Sequence, residues 1–258
     1  MSVAETGNRE TVQRQFGAMA AAYGTSAVHA GGPDLEAMLA AANLRGDERV
    51  LDVGSGAGHT ALAFAPRVAS VLAIDLTESM LEEGRRRAAE RGLANATFQR
   101  GDAENLPVPD GAFDVVTCRY AAHHVPRPEA AVREWARVLA PGGRLLLVDV
   151  VSPEDYAADT VLNAIEVLRD PSHVRDHTVP QWIAMLAAAG LEAEEVERFP
   201  LRLEFGPWTA RQRTPAATAE QIRALFAAVS PSVRETLHVE ADGTFTCPVT
   251  LIRAHRAG

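Results

Sequence analysis

The stretch Arg49-Val50-Leu51-Asp52-Val53-Gly54-Ser55-Gly56-Ala57-Gly58 constrains the chain more than any other. An apolar run ends in an acid, and glycines follow at alternate positions. That order suits a buried parallel strand turning sharply into a helix, with a backbone bare enough for a ligand to approach. The acid before the glycines points to a nucleotide-like ligand at the carboxyl end of a first strand.

The rest of the chain repeats the same unit. Arg49 to Val53 reads as the first strand, and a helix follows from about His59 to Arg67. The second strand, Val68 to Ile74, ends in Asp75. This acid stands about 20 residues beyond the glycines, where a carboxylate meets ribose hydroxyls in doubly wound folds. Thr77 suits the cap of a helix Glu78 to Arg91, whose Arg85-Arg86-Arg87 run reads as a solvated face. A short strand, Ala96 to Gln99, leads into Gly101-Asp102-Ala103. A fourth, Ala112 to Cys118, leads into Arg119-Tyr120-Ala121-Ala122-His123-His124. The helix Pro128 to Leu139 carries a core stripe that includes Trp135, Pro141-Gly142-Gly143 stops it, and Leu145 to Val148 is a fifth strand ending in Asp149. Strands alternating with helices in this way require a mostly parallel sheet covered on both faces, with ligands outside the carboxyl ends of the strands. All the chemically loaded residues fall at such ends.

Outside this core the pattern loosens. Val12, Phe16, Met19 and Tyr23 share one face of an N-terminal helix, about 9 to 23, and a second helix runs from Pro33 to Asn43. These read either as a packed cover or as a lid that turns Tyr23 and His29 toward the ligand. Helices are expected at 155–168 and 179–189, a strand at 191–203, largely helical chain from Phe205 to Val229 broken by Pro207 and Pro215, and a last strand at 244–254 with a bulge or irregular start at Pro248. The expected layout is a single domain, 1–258: a cofactor-binding core at about 45–150, an N-terminal cover at 1–44, and an acceptor-side lid with the last strands at 151–258.

A dinucleotide fingerprint, G-x-G-x-x-G, needs a third glycine at position 59, where this chain has His59 and carries glycine at 58 instead. The segments RVLDVGSGAG, VLAIDLTESML, FQRGDAENLPVPDGAFDVVTCRYAAHHV and REWARVLAPGGRLLLVDV, in this order and spacing, resemble the class I S-adenosylmethionine-dependent methyltransferases. The resemblance is to their small-molecule branch, which includes the ubiquinone/menaquinone-biosynthesis enzymes (the methyltransferase type 11 domain). It is strong over about residues 45 to 150. It implies an α/β, Rossmann-like, doubly wound sheet of seven strands, mostly parallel, with an antiparallel last strand inserted beside the fifth. It also implies S-adenosyl-L-methionine as cofactor. The backbone of Gly54, Ser55 and Gly56 would approach its methionine and ribose portion, with Asp52 fixing the loop. Asp75 would take both ribose hydroxyls, Leu76 would pack on the adenine, Asp102 would accept from the adenine amino group, and the Ala103 amide would donate to the ring. Arg119 would line the reactive end, and Tyr23 would close over it. Relatives often carry a small or polar residue where this chain has Arg119.

Methyl transfer from a sulfonium is an in-line displacement in which the protein mainly positions and excludes water. A hydroxyl or protonated-amine acceptor needs a base, and histidine titrates in the right range. His123 and His124 stand on the acceptor side, and Asp149 at the end of the neighbouring strand is placed to orient one of them. Base duty, with His124 favoured, and duty as pocket wall or helix cap both stay open. His173 and His177 are four apart, yet no third ligand cluster accompanies them, so no metal is expected. Trp182, Met185, Phe205 and Trp208 are candidates to line the acceptor pocket.

The net charge of −9 disfavours an extended nucleic-acid surface, and all 25 basic residues are arginine. Two distant cysteines, Cys118 and Cys247, make no disulfide framework. The polar N-terminus has no signal-type apolar core, and no run approaches a membrane span. The expectation is a cytoplasmic enzyme, monomer or homodimer, with a small-molecule acceptor and neither nucleic-acid nor membrane partners. A non-catalytic S-adenosylmethionine-binding or regulatory module is the alternative, and a nicotinamide-dependent dehydrogenase is disfavoured by His59 and by the acid at 102.

Overall fold

A computed structural model describes residues 3–17, 19 and 31–257 of the chain. Among the described residues, two helices, α1 (Val3–Gly17) and α2 (Pro33–Ala41), precede the first strand. The alternating part follows as β1 (Arg49–Val53), α3 (His59–Phe64), β2 (Ser70–Asp75), α4 (Glu78–Glu90), β3 (Ala96–Arg100), β4 (Phe113–Arg119), α5 (Pro128–Val138) and β5 (Leu139–Val150). The last third contributes α6 (Tyr156–Arg169), α7 (Val179–Ala188), β6 (Leu191–Leu203), α8 (Phe205–Arg211), α9 (Ala216–Ala228), α10 (Pro231–Thr236) and β7 (Phe245–Arg256). The strands form one sheet in the order β3-β2-β1-β4-β5-β7-β6. β1 to β5 run parallel, and β7 enters antiparallel between β5 and β6. This is the seven-stranded, Rossmann-like α/β sheet that the sequence pattern implies.

The sheet is buried on both faces because its strands are apolar at consecutive positions. Side chains alternate across a strand, so Val50 and Val115 join one core while Leu51 and Val116 join the other. The first core holds α2, α3, α4, α6 and the C-terminal helices; the second holds α5 and α7. Trp135 of α5 is fully buried in the second, as its stripe predicts.

Several local readings are corrected. β5 begins directly at Leu139, and Pro141-Gly142-Gly143 form an irregularity within it: the register jumps from Phe113↔Leu139 to Val115↔Arg144. Pro248 sits in register opposite Pro200, and the bulge lies instead in β6 between Glu195 and Glu197. Pro207 does not break a helix, since α8 runs through it. Thr77 holds the N-cap position of α4 without a side-chain bond to a helix N–H. Arg86 is solvated, but Arg87 is buried and donates to the Ala57 carbonyl at 2.7 Å, tying α4 to the glycine loop.

Gly84 on α4 is fitted against β3. A Cβ there would meet Phe98 Cε1 at 2.4 Å. Alanine in a helix is normally worth up to about 1 kcal/mol over glycine, yet overpacking costs about 1–3 kcal/mol. Gly84→Ala is therefore expected to lower the unfolding free energy in urea by up to about 2 kcal/mol. A gain in stability would contradict this packing.

Candidate functional site

The loop after β1 turns on left-handed glycines. Gly54 has φ 67°, and a Cβ on it would stand 2.5 Å from the Ala121 Cβ. Gly58 has φ 79° as the N-cap of α3, and a Cβ on it would meet the Phe98 ring at 2.8 Å. Side chains are thus excluded twice, by backbone conformation and by contact. Gly56 differs: a Cβ there would meet nothing within 4 Å, because the loop faces open space.

Two acids hold the loop, Asp52 buried and Asp75 half-buried. Asp52 Oδ1 accepts from the Thr117 hydroxyl at 2.7 Å, and its Oδ2 accepts from the Ala61 amide at 3.1 Å. Burial pushes its pKa up to about 7, against those two hydrogen bonds. Asp75 Oδ2 accepts from the Gly56 amide at 2.8 Å and its Oδ1 from the Thr77 amide at 2.8 Å. Burial raises its pKa too, while the Thr77 and Gly56 amides oppose the rise. The Ser55 hydroxyl is buried with no hydrogen-bond partner among the described residues.

At the far end of the cleft Asp102 follows β3. Its Oδ1 accepts from the Glu104 amide at 2.9 Å, and its Oδ2 pairs with Arg9 of α1 at 2.7 Å. Arg9 also donates to buried Glu104 at 2.7 Å, and Glu104 in turn takes the Arg127 guanidinium at 2.7 Å. Nothing in the sequence pattern signals Arg9, because the pairing depends on how α1 lies across the sheet.

β4 delivers the other side. Arg119 at its end is buried, donates Nε to Asp34 of α2 at 2.6 Å, and lies over the Tyr120 ring at 4.9 Å. A tight turn at Ala122–His124 follows. His123 Nδ1 bonds Asp149 Oδ1 at 2.6 Å, and the His123 amide donates to Asp149 Oδ2 at 3.1 Å. Asp149 therefore engages His123, not His124. His124 donates Nδ1–H to the Ser172 carbonyl at 3.1 Å, a tautomer assigned from that partner, and the Phe16 ring stands edge-on at 5.0 Å. Burial works against the His123 charge, but Asp149 outweighs it and raises the pKa to about 9. Burial and then the His123 charge push His124 down to about 4, and the same causes, with His124, push His173 to about 2. At neutral pH His123 is the protonated donor, and its neighbours are neutral.

A folded-state pKa above the ordinary 6.5 means that the contribution of this pair is complete below pH 6.5 and is lost as pH rises through 9. The stability difference between the wild type and His123→Gln is expected to narrow across that window by on the order of 3 kcal/mol. Urea titrations at a series of pH values measure it. A constant difference would contradict the assignment.

One cleft is lined by Gly54, Ser55, Gly56, Asp75, Leu76, Asp102, Ala103, Arg119, His123 and His124. Asp52 and Asp149 lie just beneath it. Tyr23 and His29 lie outside the described residues. Trp208 reaches the cleft, whereas Trp182, Met185 and Phe205 belong to the cores. His173 lines the cleft, while His177 packs against Trp182 with ring centroids 5.2 Å apart. Among the described residues no group of three His, Cys, Asp or Glu side chains is placed to hold a metal ion. No helix of the described chain is long and apolar enough to cross a membrane. Residues that sequence reasoning missed include Arg9, Glu104, Glu166, Arg169, Asp176 and Leu203.

Residues 51–147 match a family described as "Methyltransferase domain". Over 226 residues the chain is 43% identical to the uncharacterized methyltransferase YcgJ of Bacillus subtilis, covering 88% of this chain and 89% of that one. The YcgJ crystal structure superposes with a TM-score of 0.84 at 41% identity, covering 87% of this chain and 98% of that one. A putative methyltransferase from Bacillus halodurans superposes with a TM-score of 0.85 at 37% identity, covering 88% and 100%. The ubiquinone/menaquinone biosynthesis C-methyltransferase UbiE of Azotobacter vinelandii is 42% identical over 125 residues, 47% of this chain and 49% of that one.

Proposed function

This chain belongs to the class I methyltransferase family, and we propose that it transfers a methyl group from S-adenosyl-L-methionine to a small-molecule acceptor. The observation that carries the reading is one continuous cleft at the carboxyl ends of β1, β2 and β4. Its glycine and acid end fits the cofactor. Gly56 faces open space, the buried Ser55 hydroxyl has no partner among the described residues, and each Asp75 oxygen takes only one amide and keeps further accepting capacity.

The backbone of Gly54, Ser55 and Gly56 would cradle the cofactor, with Asp52 holding the loop from below. Asp75 would take the ribose hydroxyls, Leu76 would pack on the adenine, and Asp102 with the Ala103 amide would read its edge. When bound, S-adenosyl-L-methionine supplies an electrophilic methyl group on a sulfonium. Arg119 would line that end of the cleft and keep Asp34 and α2 against it. The protein's work on the acceptor is positioning and exclusion of water. His123, charged and fixed by Asp149, serves there as a hydrogen-bond donor, and neutral His124 presents Nε2 as an acceptor. The cleft continues past them to Leu201, Leu203 and Trp208, space that a binding-only module would not need.

Incubation with methyl-labelled S-adenosyl-L-methionine and a bacterial metabolite extract tests the proposal. Label is expected in the low-molecular-mass fraction. Label confined to added protein or nucleic acid, or no transfer at all, would contradict it.

A further inference from the structure

Glu104, Glu166, Asp170 and Asp176 also line the cleft, and this reading leaves them unused. Asp176 lies between α6 and α7, lines the cleft and is 1% exposed. Its backbone is pinned: the amide donates to Asn163 Oδ1 at 2.8 Å, and the carbonyl accepts from Asn163 Nδ2 at 3.3 Å. Neighbouring charges are already matched. Glu166 takes Arg169 at 2.6 Å, Arg175 is bound to Asp159 at 2.6 Å, and Asp170 accepts from the Ser172 hydroxyl at 2.6 Å. The Asp176 Oδ2 is buried with no partner among the described residues. A buried carboxyl oxygen left unbonded is a cost that folding alone does not explain.

His123 lines the same cleft, and its carbonyl takes the Val174 and Arg175 amides at 2.9 and 3.2 Å, just before Asp176 in the chain. Burial raises the Asp176 pKa, and the His123 charge is the first influence opposing that rise. His123 spends Nδ1 on Asp149, and its Nε2 makes no hydrogen bond among the described residues. This end is also lined by apolar Val150, Leu201, Leu203 and the Trp208 ring, by His173, and by the paired Glu166 and Arg169.

These two groups select between ligand chemistries. A protonated amine would satisfy the carboxyl but be repelled by the imidazolium. A carboxylate would satisfy the imidazolium but add a second anion, beside Asp149, to one buried cation. A hydroxyl gives one hydrogen bond and accepts another, so it satisfies both. We infer that the acceptor is an uncharged small molecule bearing a hydroxyl on an apolar body, the hydroxyl donating to Asp176 and accepting from His123 Nε2. This inference rests on the methyltransferase reading and deepens it by naming the substrate class.

The test uses the full chain saturated with S-adenosylhomocysteine and three probes of one ring size: phenol, benzylamine and benzoate. Saturation is checked first by calorimetry. Failure at that step overturns the cofactor reading, and this inference with it, before any probe is added. With the cofactor product bound, ligand-observed NMR is expected to show phenol binding more tightly than either charged probe. Asp176→Ala should weaken phenol at least about tenfold and leave S-adenosylhomocysteine affinity unchanged. Asp176→Asn, which keeps one accepting oxygen, should lose less. Both variants should melt at or above the wild-type temperature, because an unpartnered buried carboxyl has been removed. Preference for benzylamine or benzoate would overturn the inference, as would no probe binding or a phenol affinity indifferent to Asp176. So would melting of both variants well below wild type, since it would mark the carboxyl as structural.

Discussion

Asp75→Ala is expected to weaken S-adenosylhomocysteine binding by about 10²–10⁴-fold, measured by calorimetry. The estimate comes from what the carboxylate has left to give. Each oxygen accepts one amide, from Gly56 or Thr77, and retains capacity for one ribose hydroxyl. Hydrogen bonds to a charged group are worth about 1.5–3 kcal/mol each, so losing two removes about 3–6 kcal/mol. The lower end allows for partial replacement by water. The substitution also frees the Gly56 amide, which loosens the loop and adds to the loss. Asp75→Asn separates the parts, because it keeps one acceptor but no charge, and its loss should be smaller. A circular-dichroism melt shows whether the fold survives. A change below about tenfold in Asp75→Ala would mean that the acid after β2 does not hold the ribose.

The second large effect concerns the cover over the sheet. Asp34, in the first turn of α2, pairs with Arg119 at 2.6 Å, and the two side chains are 8% and 3% exposed. Removing one partner of a buried pair costs about 3–5 kcal/mol. Asp34→Ala should therefore lower the unfolding free energy by about that amount in urea. Arg119 lies over the Tyr120 ring, but a cation–π contact of about 0.5–2 kcal/mol does not replace the carboxylate. Replacing both residues, as Asp34→Ala with Arg119→Met, should cost less than Asp34→Ala alone, since the guanidinium that lost its carboxylate is removed with it. A loss under about 1 kcal/mol for Asp34→Ala would show that the pair is not what docks α2. Because Arg119 lines the cleft, the same pair couples the cover to the site.

Residues whose position follows from strand order were legible in the sequence. Asp52, Asp75, Asp102 and Asp149 each end or follow a parallel strand, and a parallel sheet brings those ends to one edge. That Asp149 meets one of the paired histidines also followed, because β5 lies beside β4. Which histidine it meets depends on the turn at Ala122–His124, whose short-range geometry no periodicity encodes. The pairings of Arg9 and Arg119 were not legible for a related reason: each involves a helix whose placement is set by packing. Trp182 and Trp208 look alike along the chain, since both sit on apolar helical faces, and only the layer each helix joins separates core from cleft. Asp176 lies in an irregular segment with no repeat to read. The α10 helix, by contrast, was overlooked despite its signal, a Ser230 cap followed by Pro231 at the first helical position.

In the proposed arrangement one cleft holds the cofactor at its glycine and acid end and the acceptor beside His123. A crystal structure of the chain with S-adenosylhomocysteine would locate both ends at once. The ribose is expected on Asp75, the adenine between Leu76 and Asp102, and the sulfur turned toward His123. Density for the ligand elsewhere, or with the adenine at the His123 end, would contradict it.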